Sequence, residues 1–183
     1  MTSADKVGEL SKLLRPVSDE QGANAAVAML LKTGNGELDV LLVKRTENSD
    51  DPWSGQVAFP GGKRDADDLS LKHTAIRETF EETNINLLDS CRFLGVLRAV
   101  RSRPRPDLKI LPFVVLVERD QPIRLSEKEL ASFFWVPLKD IVKGKGKAVL
   151  SVGEVPAYVI GPLIIWGLTY RMIEDFISTS ALV

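Results

Sequence analysis

The chain has 183 residues, 44% of them hydrophobic, with 24 basic against 25 acidic side chains and a net charge of −1. That length fits one globular domain able to bury a core without staples, and near-neutrality gives no basis for membrane attachment or bulk nucleic-acid binding. A single cysteine, Cys91, excludes an internal disulfide and a cysteine-based zinc site, and a single histidine, His73, leaves little material for a histidine-rich metal site or a Ser-His-Asp constellation.

Met1 to Glu9 is polar, with no apolar signal core, and no later apolar run reaches the roughly 18 residues that cross a bilayer, so the cytoplasm is the expected compartment. Val7, Leu10, Leu13 and Leu14 recur at helical spacing up to Pro16, which predicts an amphipathic helix within residues 1–16, packed on the domain or on a second copy in a homodimer. Ala23 to Lys32 and Leu38 to Lys44 are Val- and Leu-rich runs joined by Thr33-Gly34-Asn35-Gly36, the pattern of a β-hairpin. Thr46 to Gly55 is a polar loop that delivers the chain to Phe59-Pro60-Gly61-Gly62.

After an acidic run through Asp65, Asp67 and Asp68 comes Arg77-Glu78-Thr79-Phe80-Glu81-Glu82. If Leu69 to Thr83 is helical, Glu78, Glu81 and Glu82 stand at i, i+3 and i+4 on one face. Like charges at those spacings repel, whereas a hard divalent cation, held by one or two carboxylates together with substrate phosphates, would gather them. Glycines at 61 and 62 would let backbone approach such an ion or its phosphates.

Cys91 to Val100 and Ile110 to Glu118 are predicted strands. The loop between them holds Arg101, Arg103 and Arg105 among two prolines, a candidate clamp for phosphate oxygens. Ser126 to Ala131 has the pattern of a helix start, with Glu129 at the capping-box position. Phe133 to Val136 is a short strand and Leu138 to Val142 a helical turn. Lys143 to Lys147, alternating with glycine, is expected as a flexible basic loop. Ala148 to Val152 and Ala157 to Ile160 are strand-like, and Leu163 to Ser178 is the expected closing helix, with Ile164, Leu168, Met172 and Phe176 on one stripe.

The stretch from Gly62 to Ile85 resembles the signature of the Nudix hydrolases, which cleave nucleoside diphosphates linked to another moiety. Arg77, Glu78, Glu81, Glu82 and Ile85 match it outright. The spacing from Gly62 to Arg77 is one residue longer, Asp68 stands near the first Glu of the signature as a metal-shell residue or a helix N-cap, and Thr79 and Asn84 replace an apolar residue and a glycine. Asn84 can still adopt the left-handed conformation that ends a helix. Leu41 to Arg45 with Gly55 to Gly62 is similar to the added motif of the coenzyme A pyrophosphatase branch, except that Val43 replaces Thr, Asp51 stands at an Arg position and Trp53 where His is common.

The resemblance implies an α/β fold, an α/β/α sandwich around a mixed β-sheet, over residues 1–183. It implies Mg2+ or Mn2+ held by Glu78, Glu82 and Glu81 with the Gly62 backbone, and an Arg77 that orients a glutamate. Glu78, Glu82, Glu127 and Glu129 remain open as general base, and Arg45, Gly61 and Gly62 join Arg101, Arg103 and Arg105 toward substrate. The expected substrate is a nucleoside diphosphate derivative, with coenzyme A leading and ADP-ribose, NADH, nucleoside triphosphates and dinucleoside polyphosphates as alternatives. A non-catalytic nucleotide-binding module is the alternative of another class. Asp51 would bring the wrong charge toward a ribose phosphate if it pointed inward.

Overall fold

Two strands that are apolar on both faces organise the chain, because a strand whose consecutive residues are buried must lie inside a sheet covered on both sides. The structure, a computed structural model, describes residues 3–34 and 36–180, with the backbone alone for residues 3–6. Its elements run α1 (Ser3–Leu13), β1 (Ala25–Gly34), β2 (Glu37–Arg45), β3 (Val57–Ala58), β4 (Gly61–Lys63), α2 (Leu71–Thr83), β5 (Cys91–Val96), β6 (Val100–Arg101) and β7 (Lys109–Val117). They continue with β8 (Leu130–Pro137), α3 (Leu138–Lys143), β9 (Lys145–Leu150), β10 (Gly153–Ile160), β11 (Leu163–Trp166) and α4 (Gly167–Ser180).

In β1, Ala25, Met29 and Leu31 face one core while Ala26, Ala28 and Leu30 face another, and in β7 Val114 and Leu116 oppose Phe113 and Val115 in the same way. The first core is closed by α1 through Val7 and Leu10 and by α4 through Met172, Ile173 and Phe176. Leu71 and Ala75 of α2 close the second. β1 and β7 are parallel, whereas β2 and β4 pair antiparallel with β1, so the sheet is mixed and sandwiched between helices, as expected. The N-terminal helix packs on its own chain. A second, antiparallel sheet has the order β11-β10-β9.

Several local expectations give way to tertiary pairing. Ser126 to Ala131 makes a single turn, in which the Ser126 carbonyl accepts from Glu129 and Leu130, and Leu130, 2% exposed, then enters β8 beside β2. Lys143 to Lys147 is not a free loop: Lys145 and Lys147 lie on β9 against β10 and pair with Glu174 and Glu154. The closing helix begins at Gly167, not Leu163, because Leu163 and Ile165 are buried at a period of two and Leu163–Trp166 pairs with β10. The hairpin pairs Gly34 with Glu37, while Asn35 of its turn and Met1 and Thr2 of the N-terminal stretch lie outside the described residues.

Candidate active site

The glycine pair is a steric requirement. Gly61 has φ 146°, and a Cβ there would meet the Ala26 carbonyl oxygen at 2.3 Å. A Cβ on Gly62 would lie 2.5 Å from the Glu78 carboxylate. With no side chain in between, β4 brings its backbone directly against the acidic face of α2.

Helix α2 is fixed at both ends. Ser70 is its N-cap, with its hydroxyl accepting from the His73 N–H, and Asn84 ends it at φ 63°, as expected, with its N–H donating to Phe80 O. Asp68 is therefore not the cap. It is 4% exposed, and its two oxygens accept from Arg77 Nε at 3.0 Å and Nη2 at 2.8 Å, from Thr74 Oγ1 at 2.9 Å and from the Asp65 N–H at 3.0 Å. Those bonds, led by Arg77, hold its carboxyl well below the usual range. Arg77, anchored in this way, turns Nη1 onto Glu78 Oε1 at 2.8 Å and Glu81 Oε2 at 3.2 Å.

The three glutamates do not share one environment. At about 100° per residue, Glu81 and Glu82 point a quarter-turn apart with Glu78 between them. Glu78 and Glu82 line a cavity of about 290 Å³, while the Glu81 side chain is 56% exposed and turned to Arg77. Glu82 is 3% exposed. It accepts one backbone bond, from Gly61 N–H at 2.9 Å, and its nearest cation, Arg45 Nη1, is 3.9 Å away. Burial with so few donors, reinforced by the charge of Glu78, pushes its carboxyl up to about 8. Burial also raises Glu78, against the pull of Arg77.

Arg45, Gly61, Gly62 and Glu129 line the same cavity. Glu127 does not, and neither do the three arginines of the 101–105 loop: Arg101 donates to Pro106 O, Arg105 lies 3.7 Å from Asp107, and Arg103 faces a neighbouring cavity. Asp51 does not present a bare charge. One of its oxygens accepts from Arg45 Nε at 2.8 Å and the other from the Trp53 N–H at 3.0 Å, so it holds Arg45 beside Glu82. Sequence reasoning missed Lys63 and Gln56, and it missed Thr169 and Met172 of α4, which close the cavity. Lys63 carried a signal, a cation directly after the glycine pair; the α4 residues reach the site only through the tertiary fold.

Among the described residues no three or more carboxylate, imidazole or thiol groups stand together as a ready cation cage. What fits a divalent ion is the pair Glu78 and Glu82: two destabilised carboxylates on one cavity, with the Gly62 backbone held directly against Glu78, where any Cβ would clash. A hard cation needs no more than one or two such ligands when phosphates and water complete its shell.

A model of the NUDIX domain matches residues 22–152. The chain belongs to the Nudix family. Among its relatives, the peroxisomal coenzyme A diphosphatase ndx-8 of Caenorhabditis elegans is 34% identical over 141 residues, which cover 76% of this chain and 59% of that protein. The human mitochondrial coenzyme A diphosphatase NUDT8 is 28% identical over 159 residues, 83% of this chain and 67% of that one. The match thus spans about three-fifths to two-thirds of these two relatives' lengths. In fold, the chain is similar to the NUDIX domain of Shewanella oneidensis NrtR complexed with ADP ribose, with a TM-score of 0.56 at 20% identity over 96% of both chains. It is also similar to a C. elegans Ap4A hydrolase, with a TM-score of 0.54 at 22% identity over 65% of this chain and 83% of that one. Among the described residues no helix is long and apolar enough to cross a membrane.

Proposed function

We propose that residues 1–183 work as one Nudix hydrolase domain that cleaves a pyrophosphate bond in a nucleoside diphosphate derivative, with coenzyme A or a close relative as the leading substrate. The observation that carries this reading is the under-paired couple Glu78 and Glu82 on one cavity beside the Gly61-Gly62 backbone. A divalent cation, Mg2+ or Mn2+, held there by the two carboxylates would supply a Lewis acid for the pyrophosphate oxygens and lower the pKa of the attacking water.

The remaining work falls to side chains. Arg45, steadied by Asp51, presents its guanidinium to phosphate oxygens. Arg77 keeps Glu78 in place. Glu129, the later-loop candidate that lines the cavity, takes the proton of the water as its oxygen bonds to one phosphorus. The bond from that phosphorus to the bridging oxygen breaks, and the second phosphate leaves with the electron pair. The two coenzyme A diphosphatase names among the relatives and the similarity to that branch at Leu41 to Gly62 support the choice of substrate.

The test is a screen of coenzyme A, dephospho-coenzyme A, ADP-ribose, NADH, nucleoside triphosphates and dinucleoside polyphosphates with Mg2+ or Mn2+, with products identified by mass. Coenzyme A should give 4′-phosphopantetheine and adenosine 3′,5′-bisphosphate. Robust cleavage of another compound with coenzyme A untouched would move the substrate, and binding without cleavage of any would make the chain a nucleotide-binding module. A cytoplasmic location, drawn from the sequence alone, is part of the proposal; cell fractionation checks it, and recovery with peroxisomes or mitochondria, the compartments in the two relatives' names, would overturn it.

A further inference from the structure

Beside the catalytic cavity lies a larger one of about 520 Å³, and Trp53, Gln56 and Leu168 line both. At about 290 Å³ the catalytic cavity lies at the small end of the range usual for ligand pockets, about 300–1,000 Å³. The shared wall offers one substituent of a diphosphate a path into the second cavity. The far side is built by Pro156 of β10, Trp166 of β11 and Tyr170 of α4, beyond residue 152, where the match to the NUDIX domain ends. The second cavity is thus walled jointly by loops before residue 152, through Trp53, Gln56 and Arg103, and by the terminal sheet and helix.

Its lining points to a flat, charged occupant. Trp53, Trp166 and Tyr170 present three partly exposed rings. The Gln56 carboxamide has no hydrogen-bond partner among the described residues, and its donor and acceptor can read the edge of a base. The neighbouring Arg171 is tied to the Arg101 carbonyl at 2.8 Å, and Arg105 sits near Asp107. Arg103, exposed and lining the cavity, has no ion-pair partner among the described residues. A pantetheine arm, with amides of its own, could pair with the Gln56 carboxamide but brings no anion to the guanidinium, whereas rings stack on a base and an arginine fork matches phosphate.

We propose that this second cavity binds the substrate's nucleoside, its base against the three rings, and that Arg103 recognises an additional phosphate on the ribose. The proposal rests on the hydrolase reading for the orientation of the substrate, but its test does not need turnover. Two of the three tryptophans, Trp53 and Trp166, line the cavity, so their fluorescence reports its occupancy.

Wild type and Arg103→Gln are titrated without metal with adenosine 5′-monophosphate, adenosine 2′,5′-bisphosphate, adenosine 3′,5′-bisphosphate and pantetheine, while cleavage of the diphosphates is followed separately by mass. One of the bisphosphates should bind wild type about tenfold tighter than the monophosphate, and Arg103→Gln should erase that advantage while monophosphate binding persists. Equal affinities in wild type, or an advantage that survives in Arg103→Gln, would overturn the proposal, and a response to pantetheine alone would assign the cavity to the other arm. An Arg103-dependent advantage without hydrolysis of any diphosphate would bring down the hydrolase reading and leave the subsite standing. Hydrolysis without the advantage would do the reverse.

Discussion

Asp68 and Glu82 are carboxylates of nearly equal burial, 4% and 3% exposed, at the two ends of one ionic cluster. Their ionisation is driven in opposite directions. Asp68 has a two-point contact with Arg77, a threonine hydroxyl and a backbone N–H, and is held ionised. Glu82 has one backbone N–H and a distant guanidinium, and is pushed up to about 8. Burial sets the cost of a charge, and the supply of donors decides whether that cost is met. Where the fold meets it, the carboxylate ties the loop at Asp65 to Arg77 of α2; where the fold withholds donors, the site is left short of positive charge.

The largest effect should come from the under-supplied end. Glu78→Gln and Glu82→Gln should each lower turnover about a thousandfold or more, roughly 4 kcal/mol of barrier. The metal-free melting temperature of Glu82→Gln should stay level or rise, because an amide oxygen can still accept from Gly61 without carrying a buried charge. Near-normal turnover of both variants at saturating Mg2+ would remove the assignment. At the well-supplied end, Asp68→Asn should cost about 3 kcal/mol of stability by urea unfolding, since it leaves the Arg77 cation short of its partner. The folded-state pKa of Asp68 lies below its ordinary value of 3.8, so its contribution is complete above that value and is lost as pH falls through the lower folded value. The gap between wild type and variant should hold from pH 7 to about 4 and narrow only below that; a gap that closes between pH 7 and 5 would contradict the pairing.

The two ends were unequally legible in the sequence. Helix α2 and the glycine pair are local, fixed by residues adjacent in the chain, and they can be read from the sequence itself, whereas the Asn84 terminus came with the resemblance to the signature. Glu78 and Glu82 could be named, but not distinguished from Glu81, because the i, i+3, i+4 pattern defines a face and not what packs against it. The burial of Glu82 depends on β4 meeting α2, and the neutralisation of Asp51 on a loop folding back onto Arg45. Leu163 to Trp166 was misread because four apolar residues next to a helical stripe carry both periods, and only the pairing with β10 decides between them.

A smaller effect separates the exposed glutamate from the buried one. Glu81 contacts Arg77 at the surface and lies off the cavity, and an exposed pair of this kind is worth about 0.3–0.5 kcal/mol. Glu81→Gln should therefore change turnover by less than about tenfold and leave stability almost unaltered. A loss as deep as that of Glu82→Gln would put Glu81 in the cation's shell and merge the two environments.

The smallest effect concerns a third buried polar group on the same helix. Thr79 is 0% exposed, stands where the Nudix signature usually carries an apolar residue, and has a buried hydroxyl oxygen without a hydrogen-bond partner among the described residues. Like Glu82 it is short of hydrogen-bond partners, but it is neutral and does not line the cavity, so its deficit has no counterpart in substrate or cation. Valine keeps the branched shape, has a similar helix propensity and replaces the hydroxyl with a methyl group. An unsatisfied buried hydroxyl costs about 1–3 kcal/mol, part of which the new methyl must return in packing adjustments. Thr79→Val should raise stability by about 1 kcal/mol in urea unfolding and leave turnover within twofold of wild type, by analogy with surface-distant core changes of about that size. A destabilised variant would mean that the Thr79 hydroxyl is satisfied in solution, whereas a stabilised variant with depressed turnover would tie this buried position to the geometry of Glu78 and Glu82.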